Sequence, residues 1–173
     1  MLLKIKYNSP VFLTFALICL IVHCLSVWVD STITFHYFAV PGTFAATNPM
    51  SYFRLFSHVI GHADWAHLLG NMTFILLLGP ILEERYGSGS VLFMVLVTAL
   101  VTAGLNILLF HTGLMGASGI VFMCILLGSV VGIKQGEIPI SFIVVAILFL
   151  GKEVLNSLDE DSISQMAHIV GGG

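Results

Sequence analysis

The sequence predicts an all-α membrane protein, a polytopic bundle of spanning helices, and three observations carry that reading. Of 173 residues, 58% are hydrophobic and only 9% are charged, where a soluble domain carries about 25% charged residues. The mean hydropathy is +1.05. The apolar residues also fall into long runs separated by short polar stretches, close to the roughly 20 residues that a helix needs to cross a hydrocarbon core of about 30 Å. Inside that core every backbone N–H and C=O must be satisfied within the segment, which selects helices. The length fits one domain.

The elements follow in order. A head, residues 1–9, carries Lys4 and Lys6. The first span runs from Pro10 to Val29, with Trp28 placed as an interface anchor. It is longer than the apolar region of a signal peptide and lacks a small-residue cleavage site, so it reads as a retained helix. Residues 30–66 are rich in aromatics and contain Pro41 and Pro49 but no continuous apolar run. They are expected to form an ordered outer loop lying partly in the interface. A second span covers Leu68 to Leu82 and closes with Glu83-Glu84-Arg85-Tyr86-Gly87. A third covers Val91 to Phe110, a fourth Ala117 to Ile133 and a fifth Ile138 to Leu155. Asp159-Glu160-Asp161 forms an acidic loop, and a sixth helix begins near Ile163. Its stretch of about 11 residues, at about 1.5 Å each, is too short to cross the core. The last of six helices is therefore expected to be truncated in this chain, either as a fragment or as a short helix around which the bilayer adapts.

Charge sets orientation and excludes partners. With five full spans, the head shares a side with Arg85 and Lys134, while Arg54 and Lys152 lie opposite. Lys4, Lys6, Arg85 and Lys134 against two basic residues favour a cytoplasmic amino terminus, as in a plasma (inner) membrane protein. The long loop and the acidic loop then face outward. A net charge of −3 offers no basic footprint for nucleic acid. Cys19, Cys24 and Cys124 sit in apolar runs without metal or CxxC spacing and read as small buried residues. Nothing suggests a cofactor.

Polar and ionisable groups within spans are costly and mark candidate function. Ser118 lies in Met115-Gly116-Ala117-Ser118-Gly119, directly before an apolar run. This puts its hydroxyl at a helix start, where free N–H groups and the positive dipole end favour a developing anion. Such small residues more often serve close helix packing. His168, in Ala167-His168-Ile169-Val170-Gly171, is a second polar residue among small ones, on the same predicted side. A neutral imidazole can take a serine proton near pH 7, and a hydroxyl is a weak nucleophile without such a base. His67 and Asn71 are i, i+4 on the second span and share a face. They are either interhelical glue or donors toward a negative charge. Phe122, one turn after Ser118, could stack under the His168 ring, which has no obvious carboxylate partner.

Together these residues resemble the rhomboid family of intramembrane serine proteases. The carrying motifs are His62-Ala63-Asp64-Trp65-Ala66-His67-Leu68-Leu69-Gly70-Asn71-Met72, Glu83-Glu84-Arg85-Tyr86-Gly87-Ser88, Gly116-Ala117-Ser118-Gly119 and Ala167-His168-Ile169-Val170-Gly171, with Phe53-Arg54 before them. The resemblance covers Tyr52 to Gly173. It implies one membrane domain over 1–173, with a catalytic core at 67–173 around a water-filled cavity that opens outward. Ser118 would be the nucleophile, His168 the base, and His67, Asn71 and the Ser118 N–H the oxyanion donors. His62, Phe122, Gly116 and Gly119 would support them. Arg54, Glu83 and Arg85 would be structural, the acidic loop a mobile cap, and the fifth span a lateral gate. Implied partners are transmembrane protein substrates and the bilayer. Family members carry the last helix further past the histidine, so His168 would be held less firmly here.

Two rivals remain at this level. His58, His62 and His67 lie close enough to suggest a metal site, yet residues 59–61 are Val-Ile-Gly, so no HExxH is formed and no metal is expected. The alternative is a catalytically silent relative that binds membrane helices.

Overall fold

The computed structural model describes residues 7–133, 140, 141, 143–148 and 151. These are mainly helical, with no strand among them. Helix α1 spans Pro10–Trp28, α2 Thr32–Tyr37, α3 Pro49–Ser57, α4 Trp65–Tyr86, α5 Ser88–Leu105 and α6 Ser118–Ile133. A π-helical turn, Asn106–Phe110, extends α5. Among the described residues three helices are long and apolar enough to cross a membrane: Pro10–Trp28, Trp65–Tyr86 and Ser88–Phe110. Part of the fifth predicted span is helical, at 140, 141, 143–148 and 151. The acidic loop, the sixth helix and His168 lie outside the described residues.

Local chemistry sets where each helix begins. Pro10 and Pro49 occupy first-turn positions of α1 and α3, where a missing N–H costs nothing. Asn48 caps α3 by accepting from Met50 N at 3.0 Å. Asp64 is extended and caps α4, accepting from His67 N at 2.7 Å. The second span therefore starts at Trp65 rather than Leu68. The third starts at Ser88 rather than Val91 and ends at Phe110 as expected, its last turn being π-helical. There the Asn106 amide donates to Thr112 O at 2.7 Å and ends the apolar segment with a wide turn.

Helix α4 packs against both α1 and α6. The core joins Phe12 and Cys19 of α1, Leu68, Ile75 and Leu82 of α4, Val91 and Ala99 of α5, and Ile120, Val121 and Cys124 of α6. Small residues bring backbones together. A Cβ on Gly79 would lie 2.6 Å from the Phe12 ring, and one on Gly119 would lie 2.8 Å from Thr102 Cγ2. Lipid is as apolar as leucine, so packing and hydrogen bonds, rather than water exclusion, drive such contacts. The opposite faces expose Leu17 and Ile21, Leu69, Leu77 and Ile81, and Leu92 and Phe93. Surfaces so apolar suit a bilayer and would be anomalous in water.

Glu83 ties the far end of α4 to its neighbours. Its carboxylate accepts from Ser9 Oγ at 2.6 Å, Val11 N at 3.0 Å, Phe12 N at 3.2 Å and Ser88 Oγ at 2.7 Å. One buried side chain thus satisfies the start of α1 and reaches into α5. Arg85 is exposed, with its guanidinium over the Tyr86 ring at 5.9 Å.

Glu83→Ala should destabilise the protein by roughly 2–3 kcal/mol, because it strands buried donors, and Glu83→Gln should cost less. Thermal unfolding in mild detergent measures this. Wild-type stability in the alanine variant would mean that the network is dispensable.

Candidate active site

The residues from 30 to 66 fold back over the segment that precedes Ser118. Val40 and Leu114 form an antiparallel bridge, with N–H···O distances of 2.8 and 2.9 Å. Gly42 packs against the His111 carbonyl and Gly61 against that of Phe38, with no room for a Cβ at either place. Arg54 donates from Nε at 2.8 Å, and also from Nη2, to His36 O. Ser57 Oγ donates to Tyr37 O at 2.6 Å. These bonds hold α2 against α3. The aromatic rings of Tyr37, Phe44, Tyr52, Phe53 and Phe56 stay exposed, as an interfacial loop requires.

His58 links this loop to α5 and to the serine segment. It is the C-cap of α3, with Nδ1 donating to Arg54 O at 3.2 Å and Nε2 3.3 Å from Thr102 Oγ1. Its own carbonyl accepts from Gly116 N at 2.9 Å. His62 lies beyond the end of α3, in the turn before α4, so the i, i+4 spacing of His58 and His62 does not place them on one helical face. Its Nδ1 donates to Ile60 O at 3.0 Å. Among the described residues no three His, Cys, Asp or Glu side chains come together as a metal site.

Gly116 is the meeting point. Its φ of +114° lies where side chains are strained. A Cβ there would stand 2.5 Å from His67 Nε2 and 3.7 Å from Asn71 Nδ2. The bare backbone therefore lets two side chains of α4 reach the strand of chain that enters α6. Asn71 is buried, and its Nδ2 has no hydrogen-bond partner among the described residues. The His67 ring meets His62 edge-to-face, with centroids 5.0 Å apart. Ser118 opens α6 half-buried, behind fully buried Ala117, and the first N–H groups of a helix have no partner within it. Phe122 is half-buried against the core. The site thus assembles a hydroxyl, helix-start N–H groups and two donor-capable side chains.

The family model of the Rhomboid domain matches residues 49–173. The chain belongs to the rhomboid family. No match was found at the level of individual curated proteins. The match covers α3 through α6, so the rhomboid domain contains His58, His62, His67, Asn71 and Ser118 as well as His168. Membership in this family of intramembrane proteases, with the apolar helices, makes the chain an integral membrane protein.

Two contributors were missed in the sequence. Asp64 fixes the backbone of His67 directly, and the signal was present as an N-cap residue before an apolar run. His23 of α1 is buried beside His62, and an ionisable residue within a span should have drawn notice.

Burial pushes His58 down to about 4 and His62 to about 3, with the neighbouring His67 adding to the effect on His62. Both therefore stay neutral in the fold, while the unfolded chain takes up protons below about pH 6.5. In that window the unfolded state binds more protons, so stability rises with pH and falls as pH drops from about 6.5 toward 4. The expected loss is roughly 1 kcal/mol per pH unit for each histidine. Unfolding midpoints measured from pH 7 to 5 test this, and a flat profile would contradict neutral burial.

Proposed function

We propose that this rhomboid is an intramembrane serine endopeptidase, with Ser118 as nucleophile and His168 as general base. The observation that carries the reading is the approach of His67 Nε2 and Asn71 Nδ2 to the Gly116 backbone, just before Ser118. In the reaction His168 takes the Ser118 proton as Oγ bonds to the scissile carbonyl carbon. The resulting oxyanion is met by His67, Asn71 and the Ser118 N–H. Collapse breaks the C–N bond, and the amine leaves with the proton from His168. Water then hydrolyses the ester by the same exchange. On this reading Phe122 supports the His168 ring. Gly116 and Gly119 keep the serine segment close to α4 and α5. Glu83 and Arg54 hold the ends of the fold. The head faces the cytoplasm of a plasma (inner) membrane.

Cleavage of a single-span substrate in proteoliposomes tests the assignment. The native chain should cut, Ser118→Ala and His168→Ala should abolish cutting, and Asn71→Ala should lower the rate about 100-fold or more. A folded native chain that does not cut would favour the reading of a silent relative that binds membrane helices.

A helical substrate hides its carbonyls in i to i−4 bonds, so the cut needs a segment that frays. Substrates with Gly or other small residues near the outer end of the span should be cut well, and β-branched residues at the cut should be poor. Equal cleavage of a polyleucine span would refute this.

A further inference from the structure

We propose that His23, on the first span, is a positioning residue that holds His67 in place through His62; the idea rests on the reading of His67 as an oxyanion donor.

His23 is only 2% exposed. A buried imidazole needs a partner to offset its lost solvation. Among the described residues its one hydrogen bond joins Nδ1 to His62 O at 3.3 Å, and its Nε2 has none. A carbonyl only accepts, so Nδ1 carries the proton and donates. The Trp65 ring meets the His23 ring edge-on, at 4.6 Å between centroids and an angle of 84°. Trp65 is the first residue of α4. His23 therefore grips the turn before α4 at both ends, by the His62 carbonyl and by the Trp65 ring.

That turn sets the pose of His67. Asp64, within the turn, bonds the His67 N–H. His62, 1% exposed, is fixed in the Nδ1–H form by Ile60 O and presents its ring to His67. His67 in turn lies against Gly116. A line of contacts thus runs from α1 through His23, His62 and His67 to the chain that enters α6. Small misplacements of a catalytic group are costly, on the order of 100-fold for about 1 Å. On this argument the first span is part of the working site and not only a membrane anchor.

The experiment compares His23→Phe, which keeps a ring against Trp65 but loses the donor, with His23→Asn, whose amide nitrogen replaces Nδ1. For each, kcat and KM on a transmembrane substrate, the unfolding midpoint and the imidazole nitrogen resonance of His67 are measured in the full chain. The expected result is a kcat about 10-fold lower in His23→Phe with KM within about twofold, and substantial recovery in His23→Asn. The His67 resonance should move in the first variant and return in the second. Unchanged kcat in a folded His23→Phe would overturn the proposal. So would equal losses in both variants that track the unfolding midpoint, which is the mark of a purely structural tie. If the native chain cuts nothing, the protease reading fails while the His67 resonance still decides. Movement in His23→Phe with return in His23→Asn supports the positioning role, and no movement rejects it.

Discussion

Helix α4 is fastened at both ends by carboxylates, and the rest of the bundle is arranged around it. Asp64 caps its start through the N–H of His67, and Glu83 near its end gathers donors from Ser9, Val11, Phe12 and Ser88. A buried N–H with no partner has no water to fall back on, so the buried Glu83 answers a strict requirement, while the exposed Asp64 acts as an ordinary helix cap. Between them α4 uses Gly79 to approach α1 and turns His67 and Asn71 toward the chain entering α6. Packing and site chemistry therefore depend on one helix held in one register.

The outer loop shows the same economy in a different setting. Many of its aromatic rings stay exposed, and it is tied down by bonds to backbone groups: Val40 with Leu114, Gly116 with His58, and the Arg54 and Ser57 side chains with carbonyls of α2. These bonds deliver residues 111–117 to the start of α6 in a fixed path. Gly116 can then adopt its positive φ against the His67 ring. The small residues of the serine segment serve helix packing and also open the space in which two polar side chains approach the backbone. The two readings of that segment turn out to be compatible.

The histidines divide by environment. His58 and His62 are held neutral by burial, which outweighs the carbonyl partners that would favour the charged form, and those partners fix the orientation of each ring. His67 is half-buried and stands at Gly116. Sequence spacing alone made His58, His62 and His67 look like one cluster. The end of α3 and the turn before α4 separate their roles, because His58 reaches Thr102 of α5 while His62 faces His67.

The sequence by itself determined the membrane, the helical class and the family. Long apolar runs admit few other structures in a bilayer, and motifs such as His67 with Asn71 or Gly116 to Gly119 keep their spacing on any backbone. It placed the candidate residues in order but not in space. Asp64 as the cap of α4 was legible as an N-cap residue before an apolar run, but the tertiary structure was needed to show that Gly116 is where the side chains of that helix arrive. It alone also showed that His23 of a seemingly generic first span lies against the turn before His67. The physical reason is that periodicity reports which face of a helix is apolar. Which polar atoms meet across helices is set by backbone separations of a few ångströms, and these depend on how glycines, caps and buried carboxylates fit together.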